Sequence, residues 1–163
     1  MPEQVTHPLS PVFDDNSKVL ILGTMPSPVS RKNGFYYSHP QNRFWKVLSV
    51  LLDEKLPSDN EERTRLLLKH HIALWDVLAS CSINGAQDSS IKDPIANDIS
   101  SLLNRTSIKA VFTTGKTAAR LYQKLCLPQT GIKAIALPST SPANQRYSLE
   151  KLVGEYKVII NYL

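Results

Sequence analysis

The sequence predicts an α/β fold, a three-layer α/β/α sandwich around a central four-stranded, mainly parallel sheet. Two patterns lead to it. Four short runs are apolar without alternation, and the stretches between them carry apolar residues at helical spacing. A strand buried on both faces reads as a continuous apolar run, whereas a strand wet on one face alternates. Strands that alternate with helices build a parallel sheet through right-handed crossovers.

The first strand is expected at 18–23 (KVLILG). A long connection follows, leading into a helix over 40–52, where Pro40 suits the first helical position and Phe44, Leu48, Leu51 and Leu52 share a face. The second strand is expected at 71–75 (HIALW), the third at 109–113 (KAVFT) and the fourth at 133–137 (KAIAL). Residues 94–103, with Ile95, Ile99, Leu102 and Leu103, read as a helix, as do 116–126. Near the C-terminus Leu149, Leu152, Val153, Tyr156, Ile159, Ile160 and Leu163 fall on one helical stripe, preferred here over a strand at 158–160. In such sheets ligands bind beyond the carboxyl ends of the strands, which directs attention to the segments after Gly23 and after Leu137.

With 163 residues, 42% hydrophobic and 20% charged, the chain fits a single domain over 1–163 with one active site. The 19 Lys and Arg against 14 Asp and Glu, a net charge of +5, favour a polyanionic partner. The two cysteines, Cys81 and Cys126, stand far apart with no CxxC and no adjacent histidine pair, which argues against a disulfide framework, a zinc site or an iron–sulfur cluster. No metal and no cofactor are expected, and a reducing, cytoplasmic setting is the simplest reading. No apolar run approaches the roughly 20 residues of a membrane span, and the first residues lack the pattern of a secretory signal. A monomer without membrane contact is expected.

Two segments carry residues suited to chemistry. The first, 23–48, packs two glycines, three prolines and the adjacent aromatics Phe35, Tyr36 and Tyr37 into one connection that is costly to order. A loop aromatic can stack on a nucleobase, worth about 1–3 kcal/mol per base; any one of the three can equally be a core side chain. Asn42 is expected in the first helical turn, where a carboxamide can orient water or simply cap the helix. The second segment, 137–147, joins Ser139, Thr140 and Ser141 to two prolines, a composition suited to phosphate contacts and equally to an ordinary turn. Thr114-Gly115-Lys116-Thr117 resembles the end of a phosphate-binding loop, but Ala110 stands where the first glycine is required, leaving Lys116 at most a minor phosphate contact. His7 and His70 show no evident partners, and only His39 lies in a candidate segment.

GTMPS at 23–27, HPQNRFW at 39–45, LWDVLASC at 74–81, DSSI at 88–91 and LPSTSPAN at 137–144 together resemble the uracil-DNA glycosylase superfamily, from about Val19 to the C-terminus and in the family's order. HPQNRFW is similar to the segment of the mismatch-specific and hypoxanthine branches. Met25 stands where many relatives carry a water-activating Asp or Asn, and Leu137 where the uracil-specific branch has a catalytic His. The resemblance therefore implies the hypoxanthine branch, with Asn42 as the catalytic residue.

The resemblance implies excision of a deaminated base, with hypoxanthine first, from DNA by hydrolysis of the N-glycosidic bond. The nucleotide is expected to flip out of the duplex, because C1′ is unreachable inside the stack. Phe35 or Tyr36 is expected to stack on the base, with Thr24, Met25, Pro26 and Ser27 along its polar edge. Asn42 is expected to orient the attacking water. His39, Arg43, Ser139, Thr140 and Ser141 are assigned to DNA, and Ala143 and Asn144 to the gap the base leaves. The competing expectations are a uracil or thymine mismatch glycosylase and a nucleic-acid binder without catalysis.

Overall fold

The four apolar runs become four parallel strands with no polar face, and every residue of the first and third is buried. The computed structural model describes residues 2–163. In chain order the elements are β1 (Glu3–Thr6), β2 (Val19–Gly23), α1 (Pro28–Asn33), α2 (Phe44–Leu51), α3 (Asn60–Lys69), β3 (Ile72–Asp76), β4 (Leu78–Asn84), β5 (Gln87–Ala96), α4 (Ile99–Asn104), β6 (Ala110–Thr114), α5 (Lys116–Leu125), α6 (Leu127–Thr130), β7 (Ala134–Leu137), α7 (Leu149–Tyr156) and a closing 3-10 helix, Lys157–Tyr162.

The central sheet runs β3-β2-β6-β7, all parallel, with Val19 opposite both Ile72 and Ala110. Alternate residues of β2 face opposite layers. Val19 and Ile21 join Phe44, Trp45, Leu48, Leu67, Leu152 and Tyr156 in one cluster, while Leu20 and Leu22 join Leu102, Ala118, Leu121 and Tyr122 in the other. Burial on both faces is what removes alternation from the sequence.

The structure corrects the reading at several elements. Residues 94–103 are not one helix. Residues through Ala96 belong to β5, and α4 starts at Ile99 behind Asp98, whose carboxylate accepts from Ser101 N at 3.1 Å. A second, antiparallel sheet β1-β4-β5, absent from the expected architecture, packs Val5, Leu78, Cys81 and Ile83 on the second core cluster. Helices α1 and α3 were also not anticipated. Ser27 caps α1 and Asp59 caps α3, each accepting a backbone N–H three residues on. The helix expected over 40–52 begins only at Phe44, so Asn42 lies before it rather than in its first turn. The C-terminal stripe is helical as expected, with its last turns tightened to 3-10 geometry.

Candidate active site

A cavity of about 160 Å³ opens at the carboxyl ends of the parallel strands. Gly23 ends β2, Asp76 ends β3 and Thr114 ends β6, and all three line it. The two segments singled out from the sequence complete the wall: Thr24, Met25, Pro26, Ser27, Tyr36, His39 and Asn42 from the first, and Ser139, Thr140 and Ser141 from the second. Helix α1 turns the first segment back toward the cavity, and Ser30 Oγ accepts from Ser38 N at 3.1 Å to hold the returning chain.

Asn42 is fixed by both lone pairs of its side-chain oxygen. Oδ1 accepts from the Phe44 backbone N–H at 2.9 Å and from the Thr140 hydroxyl at 2.8 Å. The Phe44 contact assigns the oxygen, since an amide nitrogen there would oppose a donor with a donor. What Asn42 offers the cavity is its Nδ2 hydrogens. Thr140, 1% exposed, spends its hydroxyl on this contact, so it positions Asn42 rather than gripping phosphate.

Arg43 also differs from expectation. Its backbone N–H donates to Thr140 O at 3.1 Å, and its guanidinium donates to the carbonyls of Tyr147, Ser141 and Asn144. The guanidinium is committed to holding the second segment, not to DNA phosphate. Phe35 lies outside the cavity, stacked on Trp45 with ring centroids 5.9 Å apart, which removes it as a base-stacking ring. Tyr36 does line the cavity, its own hydroxyl tied to Ser10 O at 2.9 Å.

Several cavity residues were not assigned from the sequence. Tyr37 adopts φ 51, left-handed for a bulky residue, because its ring stacks on Phe44 at 3.9 Å and its hydroxyl reaches Thr114 Oγ1 at 3.0 Å. Burial, with the Asp76 charge adding to it, raises the Tyr37 phenol well above its ordinary range, so it remains a donor. Asp76 is 3% exposed and accepts from His7 at 2.8 Å. His70, the other histidine without an evident partner, pairs with Glu54 at 2.7 Å on the far side of the fold. His7 meets a partner 69 positions away, which no local pattern announces. Asp76 carried a signal: a carboxylate placed directly after a buried parallel strand sits at the ligand-binding edge.

Ala86, Asp88, Ser139 and Ser141 belong both to the cavity wall and to a broader groove beside it, lined further by Lys116, Ala143, Asn144 and Arg146. Lys116 starts α5, so its charge and the helix's free N–H groups lie together. Among the described residues Lys116 and Arg146 are exposed and form no ion pair. Ser139 Oγ and Ser141 Oγ accept from backbone N–H groups two residues on, at 3.1 and 3.2 Å, which stiffens the loop between cavity and groove. Among the described residues no three His, Cys, Asp or Glu side chains gather as a metal site, and no helix is long and apolar enough to cross a membrane.

The model of the uracil DNA glycosylase superfamily matches residues 10–162. Two hypoxanthine DNA glycosylases, from Methanosarcina barkeri and Methanosarcina acetivorans, are each 37% identical to this chain, covering 83% and 84% of it and 86% and 87% of their own lengths. A solution NMR structure of a candidate uracil DNA glycosylase from Methanosarcina acetivorans superimposes with a TM-score of 0.79 at 30% identity, over 95% of this chain and 98% of that one.

Proposed function

The chain belongs to the uracil DNA glycosylase superfamily, and from that premise we propose that it is a monofunctional DNA glycosylase that hydrolyses the N-glycosidic bond of a flipped deaminated base, hypoxanthine first. The observation that carries the reading is the Asn42 amide, held by Phe44 and Thr140 with only its N–H groups free at the cavity it lines.

An amide with both oxygen lone pairs engaged takes no proton from water. Asn42 therefore acts by donation, to the oxygen of the attacking water or to the base as it gains negative charge. The contact to the base strengthens as the bond breaks, which is the condition for lowering the barrier, whereas a contact to the water only places it. Tyr36 and Met25 supply the cavity's apolar surface, and the lone neutral amide suits departure of a stabilised base anion with late addition of water. Ser139, Ser141, Lys116 and Arg146 contact the backbone of the lesion strand, and Ala143 and Asn144 face the gap. The working unit is a monomer.

A panel of duplexes carrying one deoxyinosine, deoxyuridine, deoxyxanthosine or G·T mismatch tests the substrate assignment. Hypoxanthine is expected to be released fastest, leaving an abasic site in an uncut strand. Release of uracil or thymine in preference would assign the chain to a mismatch or uracil activity instead.

A further inference from the structure

A base that leaves the duplex opens a gap, and the second motif is poorly equipped to fill it. Ala143 ends at a methyl group. The Asn144 side chain is already engaged, its Nδ2 donating to Ser139 O at 2.9 Å, and its backbone carbonyl accepts from Arg43 at 2.9 Å. These contacts hold the loop in shape, so Asn144 could enter the base stack only by giving them up.

A second element reaches the same place. The groove beside the cavity is lined by the hairpin of β4 and β5 as well as by the second motif, and the hairpin's Ala86 and Asp88 also line the cavity, which sets its tip at the mouth. Gly85 and Ala86 connect the strands, and Gln87, exposed, opens β5. The backbone there is braced by Ser90, whose Oγ accepts from Asn84 N at 2.8 Å and donates to Gln87 O at 2.6 Å. The Gln87 carboxamide itself has no hydrogen-bond partner among the described residues.

The other long side chains of the groove are spoken for. Leu137 is buried, and Tyr147 packs on the first core cluster. Lys116, Arg146, Asp88 and Glu155 carry charges whose hydration a base stack would strip. Gln87 is the one that is long, uncharged, exposed and uncommitted. We propose that Gln87, from the hairpin and not from the second motif, enters the duplex where the flipped nucleotide stood and pairs with the base left behind. Hypoxanthine arises from adenine, so that base is thymine, which presents N3–H beside O4. A carboxamide answers both, its oxygen accepting from N3–H and its nitrogen donating to O4. Filling the gap offsets part of the unstacking cost of extrusion. The inference rests on the glycosylase reading and names the residue that keeps the base out.

The test compares affinities for three DNAs: a duplex with 2′-fluoro-2′-deoxyinosine opposite thymine, which resists cleavage, the matching undamaged duplex, and the lesion strand alone. Only the first has a gap to fill. Gln87→Ala is expected to lower the preference for lesion duplex over each of the other two by roughly 10-fold. Gln87→Leu, which fills without pairing, restores part of it, and Asn144→Ala weakens all three alike by loosening the loop. Unchanged preferences in Gln87→Ala overturn the proposal. So does an equal loss on the undamaged duplex, which would make Gln87 an ordinary groove contact, and so does a preference lost in Asn144→Ala but kept in Gln87→Ala, which would put the wedge in the second motif. A wild-type protein that releases no base from any lesion, yet shows the Gln87 shift, would remove the glycosylase reading and leave gap filling standing; base release with unchanged preferences would do the reverse.

Discussion

Asn42 is the side chain on which the proposed chemistry turns, and its surroundings sharpen what its variants should do. Removing the amide with Asn42→Ala is expected to slow single-turnover excision by about 10²–10³, the effect of losing one preorganised donor, with affinity for lesion DNA nearly unchanged. Asn42→Asp keeps an acceptor for Phe44 and Thr140 but loses the N–H groups and brings a charge toward a departing anion, so it should be no faster than the alanine variant. A rescue by aspartate would assign water activation, not donation, to this position. The sequence singled out Asn42 because the usual catalytic positions hold Met25 and Leu137, and a side chain's chemistry is legible where it stands in a motif. Phe35 was illegible for the opposite reason: three consecutive rings look alike in sequence, and only packing sends Phe35 to Trp45 while Tyr36 and Tyr37, the latter stacked on Phe44, line the cavity. The His7–Asp76 pair needs the folded chain to exist at all.

At the scale of elements, the four parallel strands were readable to within a residue because burial on both faces writes itself as unbroken apolar character. The hairpin of β4 and β5 was missed because β5 is largely polar and exposed and β4 buries only Leu78, Cys81 and Ile83 among small and polar residues. Its one local signal was Asn84-Gly85: Gly85 takes φ 61 in the tight connection between the strands, a conformation that favours glycine. The second motif is held by Arg43, whose guanidinium serves three backbone carbonyls of the 141–147 loop. Arg43→Ala is expected to cost about 2 kcal/mol, on the scale of hydrogen bonds to a charged group, read as a lower denaturation midpoint. Faster amide exchange should be confined to the second motif and to Asn42, which loses its Thr140 anchor as the loop loosens. Arg43→Lys should not restore stability, since an ammonium cannot reproduce the planar fork. A lysine variant as stable as wild type would mean the fork is dispensable.

At the scale of the molecule, the groove beside the cavity carries Lys116 and Arg146 without ion-pair partners among the described residues, together with the acids Asp88 and Glu155. Each phosphate neutralised releases counterions, so Lys116→Ala and Arg146→Ala should each reduce the slope of log affinity against log salt by about 1. The loss should be alike on undamaged and lesion duplexes; a loss confined to the lesion would put these residues on the base instead. Charge excess was legible from composition, but which cations line the groove was not, because Lys116 and Arg146 come from separate elements. The central claim, that this fold catalyses rather than only captures, is tested most directly by one reaction: a duplex with a single deoxyinosine, excess protein, EDTA present. Stoichiometric release of free hypoxanthine, leaving an alkali-labile site in an intact strand, is the result expected of the donor-only Asn42 site. A protein that binds this duplex above its undamaged counterpart and leaves every base attached would contradict it.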